Sequence, residues 1–108
     1  MTELRHECLR SLDEIIVEDL KKDPEAADLY LEAAIEEYNE NFNKDALLSS
    51  LRHLAEAKGI SKIARETGLT RDTFYKSLSP HGNPRLDTLM AIMKALKYKL
   101  TLNAERIV

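Results

Sequence analysis

The sequence predicts an all-α fold: a small helical bundle that contains a helix-turn-helix motif, has a helical extension at its N-terminus and ends in a short β-strand. Only three Gly and three Pro occur in 108 residues, too few for the many turns of a sandwich or barrel. Apolar residues recur at helical spacing along most of the chain. Alternation with a period of two is confined to residues 97–103.

Length and composition favour one domain, or one domain with an arm, in the cytoplasm. The chain contains no run of about 18 apolar residues, so we expect no membrane span. The N-terminus is too charged for a signal peptide. A single cysteine, Cys8, excludes an internal disulfide and fits a reducing compartment.

The N-terminal segment, residues 1–22, is predicted to be an amphipathic helical arm. Its apolar residues follow helical spacing over residues 3–20. We predict that part of this stripe binds a partner protein, through Leu12, Ile15, Ile16 and Leu20.

The next two helices are marked by their ends. Asp23 as N-cap and Pro24 at the first helical position restart the chain as a new helix. The Asn-rich segment 39–43 ends that helix. A further helix is predicted to start near Asp45 and to end before Gly59.

Residues 60–78 have the pattern of two short helices joined by a tight turn. Gly68 stands where the chain turns, a position that often needs positive φ. Thr70 is a good N-cap for the second helix. Phe74 and Leu78, four residues apart, form the inner stripe of that helix. This arrangement is a helix-turn-helix, whose second helix enters the major groove of DNA.

The polar groups that the motif leaves outward are the predicted DNA contacts. Arg71 and Lys76 are the strongest candidates, because a guanidinium matches guanine O6/N7 and both side chains bind phosphate. Tyr75 can equally well contact DNA or pack on the preceding helix. The full set is Ser61, Lys62, Thr70, Arg71, Asp72, Thr73, Tyr75, Lys76, Ser79, His81 and Asn83.

The C-terminal part begins with a loop, residues 79–84, and continues as a helix from Leu86 to Leu96. Residues 97–103 are predicted to be a half-buried strand, and 104–108 a tail. No second strand is predicted, so the strand should pair with another copy of the chain or with a different protein. Tyr98, Leu100 and Leu102 are the predicted dimerisation residues.

The net charge of −3 conceals a division between the two halves of the chain. Residues 1–50 contain 14 acidic and five basic residues, and residues 51–108 contain five acidic and 11 basic residues. The basic half holds the helix-turn-helix and suits a polyanion. The acidic half suits either solvent or a basic protein partner.

With the helices placed, the chain resembles the addiction-module antidote proteins of bacterial toxin–antitoxin operons. The resemblance runs from Asp23 to Leu102 and depends on the combination of its segments. These are Asp23-Pro-Glu-Ala-Ala, Tyr30-Leu-Glu-Ala-Ala, Ala46-Leu, Leu54-Ala-Glu-Ala-Lys-Gly, Ile60-Ser-Lys-Ile-Ala-Arg-Glu-Thr-Gly-Leu-Thr-Arg, Phe74-Tyr-Lys-Ser-Leu-Ser, Gly82-Asn-Pro, Thr88-Leu and Ala95-Leu.

The resemblance implies a phage-repressor-like helix-turn-helix domain over residues 23–103. It implies a homodimer that binds operator DNA, represses its own operon and neutralises a small basic toxin of the ribosome-dependent ribonuclease or gyrase-poison fold. The family usually has Gly at the position of Lys97, so we expect a different exit from the last helix here.

No catalytic site, metal site or cofactor is predicted. The three His residues lie on separate elements, and His6 and Cys8 are two apart on a helix and point away from each other. Two alternatives to an antitoxin remain open. A stand-alone repressor would use the basic half alone, and a protein-only inhibitor or adaptor would use the acidic half without binding DNA.

Overall fold

The computed structural model describes residues 11–108, and this part of the chain is helical as predicted. The all-α class is therefore confirmed for the described residues. Six helices follow one another: α1 (Leu12–Lys22), α2 (Pro24–Asn41), α3 (Lys44–Lys58), α4 (Ile60–Thr67), α5 (Arg71–Ser77) and α6 (Leu86–Ala95).

Helix α3 is the central element of the bundle, because α1, α2 and α4 all pack against it. Its residues Leu51, Leu54 and Ala55 are at most 1% exposed. Helix α6 packs on α4 and adds Ile92 to the same core, where Leu96 follows it. Each of these Leu and Ile side chains contributes about 1.5–3 kcal/mol through its removal from water. The core thus holds α4 and α5 on the remainder of the bundle.

The helix predicted over residues 3–20 is interrupted at Ser11, and the first described helix begins at Leu12. Ser11 has extended backbone, and its hydroxyl accepts a hydrogen bond from the amide of Glu14 at 3.1 Å. Ser followed three residues later by Glu is the capping-box pattern, which starts a helix even where apolar spacing continues upstream. Residues 1–10 of the prediction lie outside the described residues.

Helix α1 packs against α2 and α3 rather than standing apart from them. Val17 and Leu20 are buried at 9% and 7% exposure, and Ile16 is half-buried against the core. The residues on this face were predicted from their spacing, except Val17. The core therefore includes the first described helix.

The predicted restart of the chain at Asp23 is confirmed. The Asp23 carboxylate accepts hydrogen bonds from the amides of Glu25 and Ala26 at 3.0 and 3.3 Å, with Pro24 at the start of α2. Helix α2 ends where Phe42 takes the left-handed conformation, with φ of 54°. The segment 39–43 thus ends the helix as predicted.

The chain leaves α6 in the conformation expected for Gly at position 97. The expectation that Lys97 would change this path is wrong. Lys97 adopts φ of 71°, the left-handed conformation that Gly takes most easily. Its amide donates to the carbonyl of Lys94, and the amide of Tyr98 donates to the carbonyl of Met93, both at 2.9 Å. This is the Schellman pattern. Lys97 therefore takes the left-handed conformation of the usual Gly, which is sterically unfavourable for a residue with a Cβ.

The strand predicted over residues 97–103 is not seen in the described part of the chain. Residue 97 is left-handed rather than extended, and residues 11–108 offer no second strand for a ladder. The Tyr98 hydroxyl instead donates to Asp28 on α2 at 2.5 Å, and Leu100 packs against the core. The alternating apolar residues thus attach an irregular segment to the bundle.

Candidate nucleic-acid interface

The turn between α4 and α5 is built around Gly68, which has φ of 77°. The Gly68 amide donates to the Arg65 carbonyl at 3.1 Å, and the Leu69 amide donates to the Ala64 carbonyl at 3.2 Å. This pair of bonds is again the Schellman pattern. It ends α4 and redirects the chain into α5, so the turn predicted from the sequence is confirmed at this position.

Helix α5 is oriented by its cap and its buried stripe. The Thr70 hydroxyl accepts a hydrogen bond from the Thr73 amide at 3.1 Å, which fixes the start of the helix. Phe74 and Leu78 are both 0% exposed. Because these two side chains point into the core, the opposite face of α5 is directed to solvent.

The outward face of α5 carries the strongest predicted contacts. Arg71, Asp72, Thr73 and Lys76 are exposed. Lys76 Nζ lies 3.4 Å from an Asp72 carboxylate oxygen, so part of its charge is locally balanced. Exposed ion pairs of this kind contribute little to stability, so Lys76 can leave Asp72 for another anion at small cost.

Tyr75 occupies an intermediate position between the core and the exposed face of α5. It is half-buried and packs against the core cluster, with its ring at 6.5 Å and edge-on to that of Phe74. Tyr75 therefore packs against the core, whereas its contact with DNA stays a prediction. Its remaining exposed part adjoins the outward face of the same helix.

The start of α4 has free backbone donors beside two polar side chains. Ser61 and Lys62 are exposed in the first turn, and no side chain of the described residues caps this helix. Amide groups at an uncapped helix start attract anions such as phosphate. The predicted Ser61 and Lys62 contacts are therefore sterically accessible.

The loop after α5 returns close to the end of that helix. The Gly82 amide donates to the Ser79 carbonyl at 2.8 Å, and the Ser79 hydroxyl donates to the Lys76 carbonyl at 2.9 Å. Ser79 is thus already engaged within the chain. His81 and Asn83 are exposed and remain available to a ligand.

Arg85 was not among the predicted contacts, although its place in the structure suits one. Its side chain is 86% exposed at the start of α6, next to the loop that holds His81 and Asn83. Its Nε lies 3.8 Å from the Asp87 carboxylate. Its position directly after Gly82-Asn-Pro, as a basic residue next to the predicted contact loop, could have indicated it as a candidate from the sequence.

The hydrogen bond of Arg52 to the residue after α5 was also not predicted, and no local sequence pattern could have indicated it. Arg52 lies on α3, yet its guanidinium donates to the carbonyl of Leu78 at 3.0 Å. These two residues are 26 positions apart in the chain. The contact arises only from the tertiary structure, which brings the residue after α5 within reach of a side chain of α3.

Arg52 belongs to a cluster of polar side chains that extends from the core to the surface. His53, at 3% exposure, has Nε2 at 2.5 Å from an Asp13 carboxylate oxygen and Nδ1 at 2.6 Å from the Tyr30 hydroxyl. Burial and the nearby Asp13 charge raise the pKa of Tyr30. Arg52 reaches the same Asp13 oxygen at 3.8 Å. The cluster connects α1, α2 and α3 through side chains.

The predicted partner-binding residues of α1 divide between surface and core. Leu12 is 70% exposed and Ile15 is 41% exposed, so both are accessible. Ile16 is half-buried, and Leu20 belongs to the core. A partner that docks on the outside of α1 can therefore contact Leu12 and Ile15, whereas Leu20 is covered by the chain itself.

The predicted dimerisation residues also occupy different environments. Tyr98 is held by Asp28 and lies beneath Lys58, whose Nζ is 5.5 Å from the ring centroid. Leu100 is half-buried, and Leu102 is 69% exposed. Leu100 and Leu102 line an open apolar groove of about 500 Å³.

This groove lies between the C-terminal segment and the ends of three helices. It is lined by residues of α2, α3 and α6, among them Tyr38, Leu47, Leu86 and Leu89. Leu86 is 57% exposed at its rim.

Two further properties of the described residues bear on the class of site. They contain no group of three or more His, Cys, Asp or Glu side chains that could hold a metal ion. None of their helices has the length and apolar character needed to cross a membrane.

Comparison with known proteins identifies similarity along almost the whole described chain. A family model with the description "Probable addiction module antidote protein" matches residues 11–104. An uncharacterised protein of Haemophilus influenzae is 38% identical over 82 residues, which are 76% of this chain and 80% of that protein. No solved structure matches the chain.

Proposed function

Because this chain belongs to the family of addiction-module antidote proteins, we propose that it is the antitoxin of a cytoplasmic toxin–antitoxin pair. It binds operator DNA through α4 and α5, represses its own operon and neutralises a small basic toxin. Helix α5 acts as the recognition helix, the one that enters the major groove.

The division of α5 into a buried and an exposed face supports DNA binding most directly. Phe74 is completely buried while Arg71 and Lys76 are exposed on the same two-turn helix. A rigid helix with its cations outward can present them to a groove without reorganisation. Exposed basic groups elsewhere, such as Arg85, can add phosphate contacts that increase affinity for any sequence.

The test of DNA binding is footprinting on the segment immediately upstream of the gene, with the purified full chain. Protection of an inverted repeat with half-sites about one helical turn apart is expected, because a two-fold dimer presents two recognition helices. The absence of a protected repeat, both alone and with the neighbouring gene product, would reject the repressor function.

The acidic surface of the first helices supports binding of a basic toxin. Carboxylates such as Glu14 on α1 and Glu25 and Glu32 on α2 are exposed, and so are the apolar side chains of Leu12 and Ile15 on α1. Opposite charge accelerates encounter, while exposed apolar groups supply contact area.

Co-expression with the neighbouring gene product tests this part of the function, by pull-down and by growth. The double variant Leu12→Ser/Ile15→Ser should lose both capture and protection from toxicity. Ile107→Ser, which changes an apolar residue that is 93% exposed in the tail, is the matched control. Failure of the unmodified chain in both assays would reject the antitoxin function and leave a stand-alone repressor.

We propose that the homodimer interface lies at residues 98–102. The backbone of residues 99–102 makes no hydrogen bond to another residue of the described range 11–108. The adjoining groove exposes Leu86 and Leu102. Pairing of two such segments would satisfy backbone groups and cover apolar surface together.

A further inference from the structure

One carboxylate of α1 is in contact with two successive side chains of α3. The Asp13 oxygen that accepts from His53 at 2.5 Å also lies 3.8 Å from a terminal nitrogen of Arg52. The other terminal nitrogen of Arg52 donates to the Leu78 carbonyl at 3.0 Å. The guanidinium of Arg52 thus lies between α1 and the end of α5.

The Leu78 carbonyl lies directly after the last residue of the proposed recognition helix, α5. Leu78 follows the last residue of α5 and has no exposed side-chain surface, so its position determines how α5 leaves the core. The loop with Ser79 and Asn83 begins immediately after it. A cation that binds a carbonyl at a helix C-terminus also interacts favourably with the helix dipole.

The rest of the polar cluster fixes the orientation of Asp13. With a proton on Nε2, the His53 ring donates to Asp13 and its Nδ1 accepts from the Tyr30 hydroxyl, so every partner is satisfied. The Asp13 side chain nevertheless keeps 58% of its surface exposed, whereas that of Arg52 keeps 19%. A cationic side chain of a bound protein can therefore reach Asp13 and compete with Arg52 for it.

We infer that Arg52 is a positioning residue for the recognition helix. Through Asp13, this positioning depends on whether a partner protein is bound to α1. The inference rests on the proposed function, because α1 is the proposed toxin-binding helix and α5 the proposed recognition helix. A basic partner that takes Asp13 away from Arg52 loosens the hold on Leu78 and weakens DNA binding. The partner acts through this contact, at a distance from the DNA surface.

The linkage can be measured first without DNA, by NMR of the full chain. Asp13→Asn removes the charge that holds Arg52, and should change amide exchange and chemical shifts at residues 76–82. Asp19→Asn is the matched control, because it makes the same charge change at an exposed position of the same helix. In an Arg52→Gln background, Asp13→Asn should have no further effect on these amides.

The second measurement is the affinity for the DNA segment upstream of the gene. Arg52→Gln should weaken binding by about tenfold, the equivalent of one lost charge-assisted hydrogen bond, and Asp13→Asn by a smaller factor. The double variant should bind no more weakly than Arg52→Gln alone, since both changes break one linkage. Arg52→Lys, which keeps the charge, should bind better than Arg52→Gln. Thermal unfolding identifies any variant whose loss reflects unfolding.

The two measurements separate the possible failures. Equal responses of residues 76–82 to Asp13→Asn and Asp19→Asn, or independent effects of Asp13→Asn and Arg52→Gln at these amides, would overturn the inference. If the unmodified chain does not bind DNA, the proposed repressor function fails. The amide measurements then still accept or reject the linkage between α1 and Leu78.

Discussion

The α-carbon of Gly82 lies so close to the backbone carbonyl of Ser77, the last residue of α5, that a Cβ atom there would overlap its oxygen. The same Cβ would lie 2.8 Å from the Lys76 carbonyl oxygen. The obstacles are backbone atoms, which cannot move aside as a flexible side chain does. A glycine is therefore needed at position 82, because the chain returns there against the end of α5.

Gly82→Ala should destabilise the protein by about 1–3 kcal/mol, because the added methyl must displace the end of α5 or the loop. Urea unfolding measures the loss. Gly68→Asn is the comparison, since nothing lies within 4 Å of a Cβ at Gly68 and Asn tolerates its positive φ. Equal stability of Gly82→Ala and the unmodified chain would show that the loop lies farther from Ser77.

Lys97→Gly should stabilise the protein by about 0.5–1 kcal/mol, because Gly takes the left-handed conformation of this position without steric cost. The gain is measured as a higher urea midpoint at constant slope. Lys97→Ala removes the same charge but keeps a Cβ at the positive φ, and serves as control. A loss of stability in both variants would mean that the Lys side chain makes a stabilising contact.

Arg71→Ala and Lys76→Ala should weaken DNA binding in different ways. If Arg71 contacts a base, its loss costs about 1–3 kcal/mol on the operator and relaxes specificity at one position. Loss of a phosphate contact by Lys76 lowers affinity for all sequences and reduces the salt dependence by about one unit of slope. Titrations at several salt concentrations on operator and unrelated DNA separate the two. Unchanged affinity in both variants would exclude this face of α5.

Stability should fall in the alkaline range through Tyr98. Burial, followed by the hydrogen bond to Asp28, raises the pKa of Tyr98 to about 12 from 10.0. The neutral phenol is therefore favoured in the folded state. Its stabilising effect is complete below pH 10.0, the ordinary pKa, and is lost as the pH rises through about 12.

Two variants check this pH dependence, by phenolate absorbance and urea unfolding across the same pH range. Tyr98→Phe should remove the phenol with the raised pKa and flatten the alkaline decline in stability. Asp28→Asn should lower the pKa of Tyr98 only in part, because burial remains. An identical alkaline decline in Tyr98→Phe and the unmodified chain would assign it to other groups.

Leu100→Pro should dissociate the dimer, because proline removes a backbone donor from the pairing segment. Sedimentation velocity measures the change. Leu100 is half-buried, so Leu102→Ser provides a second variant at a site that is 69% exposed and is not needed for the core. A dimer that persists in both variants would move the interface to the exposed face of α6, at Leu86 and Met90.

Local signals in the sequence were sufficient for much of this fold. Asp23 with Pro24 and Gly68 with Thr70 predicted helix ends correctly, because each is determined by bonds between residues close in the chain. The capping box at Ser11 was equally local, but the prediction of a helix over residues 3–20 followed the apolar spacing alone.

Other features depended on tertiary structure. The alternation after Lys97 predicted a strand, whereas Tyr98 and Leu100 attach to α2 and the core because no neighbouring strand exists among the described residues. The bond between Arg52 and Leu78 joins residues 26 positions apart and had no counterpart in any sequence pattern. The exposed face of α5 was predictable from the sequence, but the hydrogen bond from Arg52 to the end of this helix was not.

The burial of Val17 and Leu20 against α3 places both proposed binding surfaces on a single cooperative folding unit. Hydrogen exchange in α1 should then require the same global opening as exchange in α3. A genetic screen for loss of function would recover mostly variants that lose toxin binding and repression together, through lower abundance. Variants that separate the two activities should map to exposed positions, such as Ile15 for one activity and Arg71 for the other.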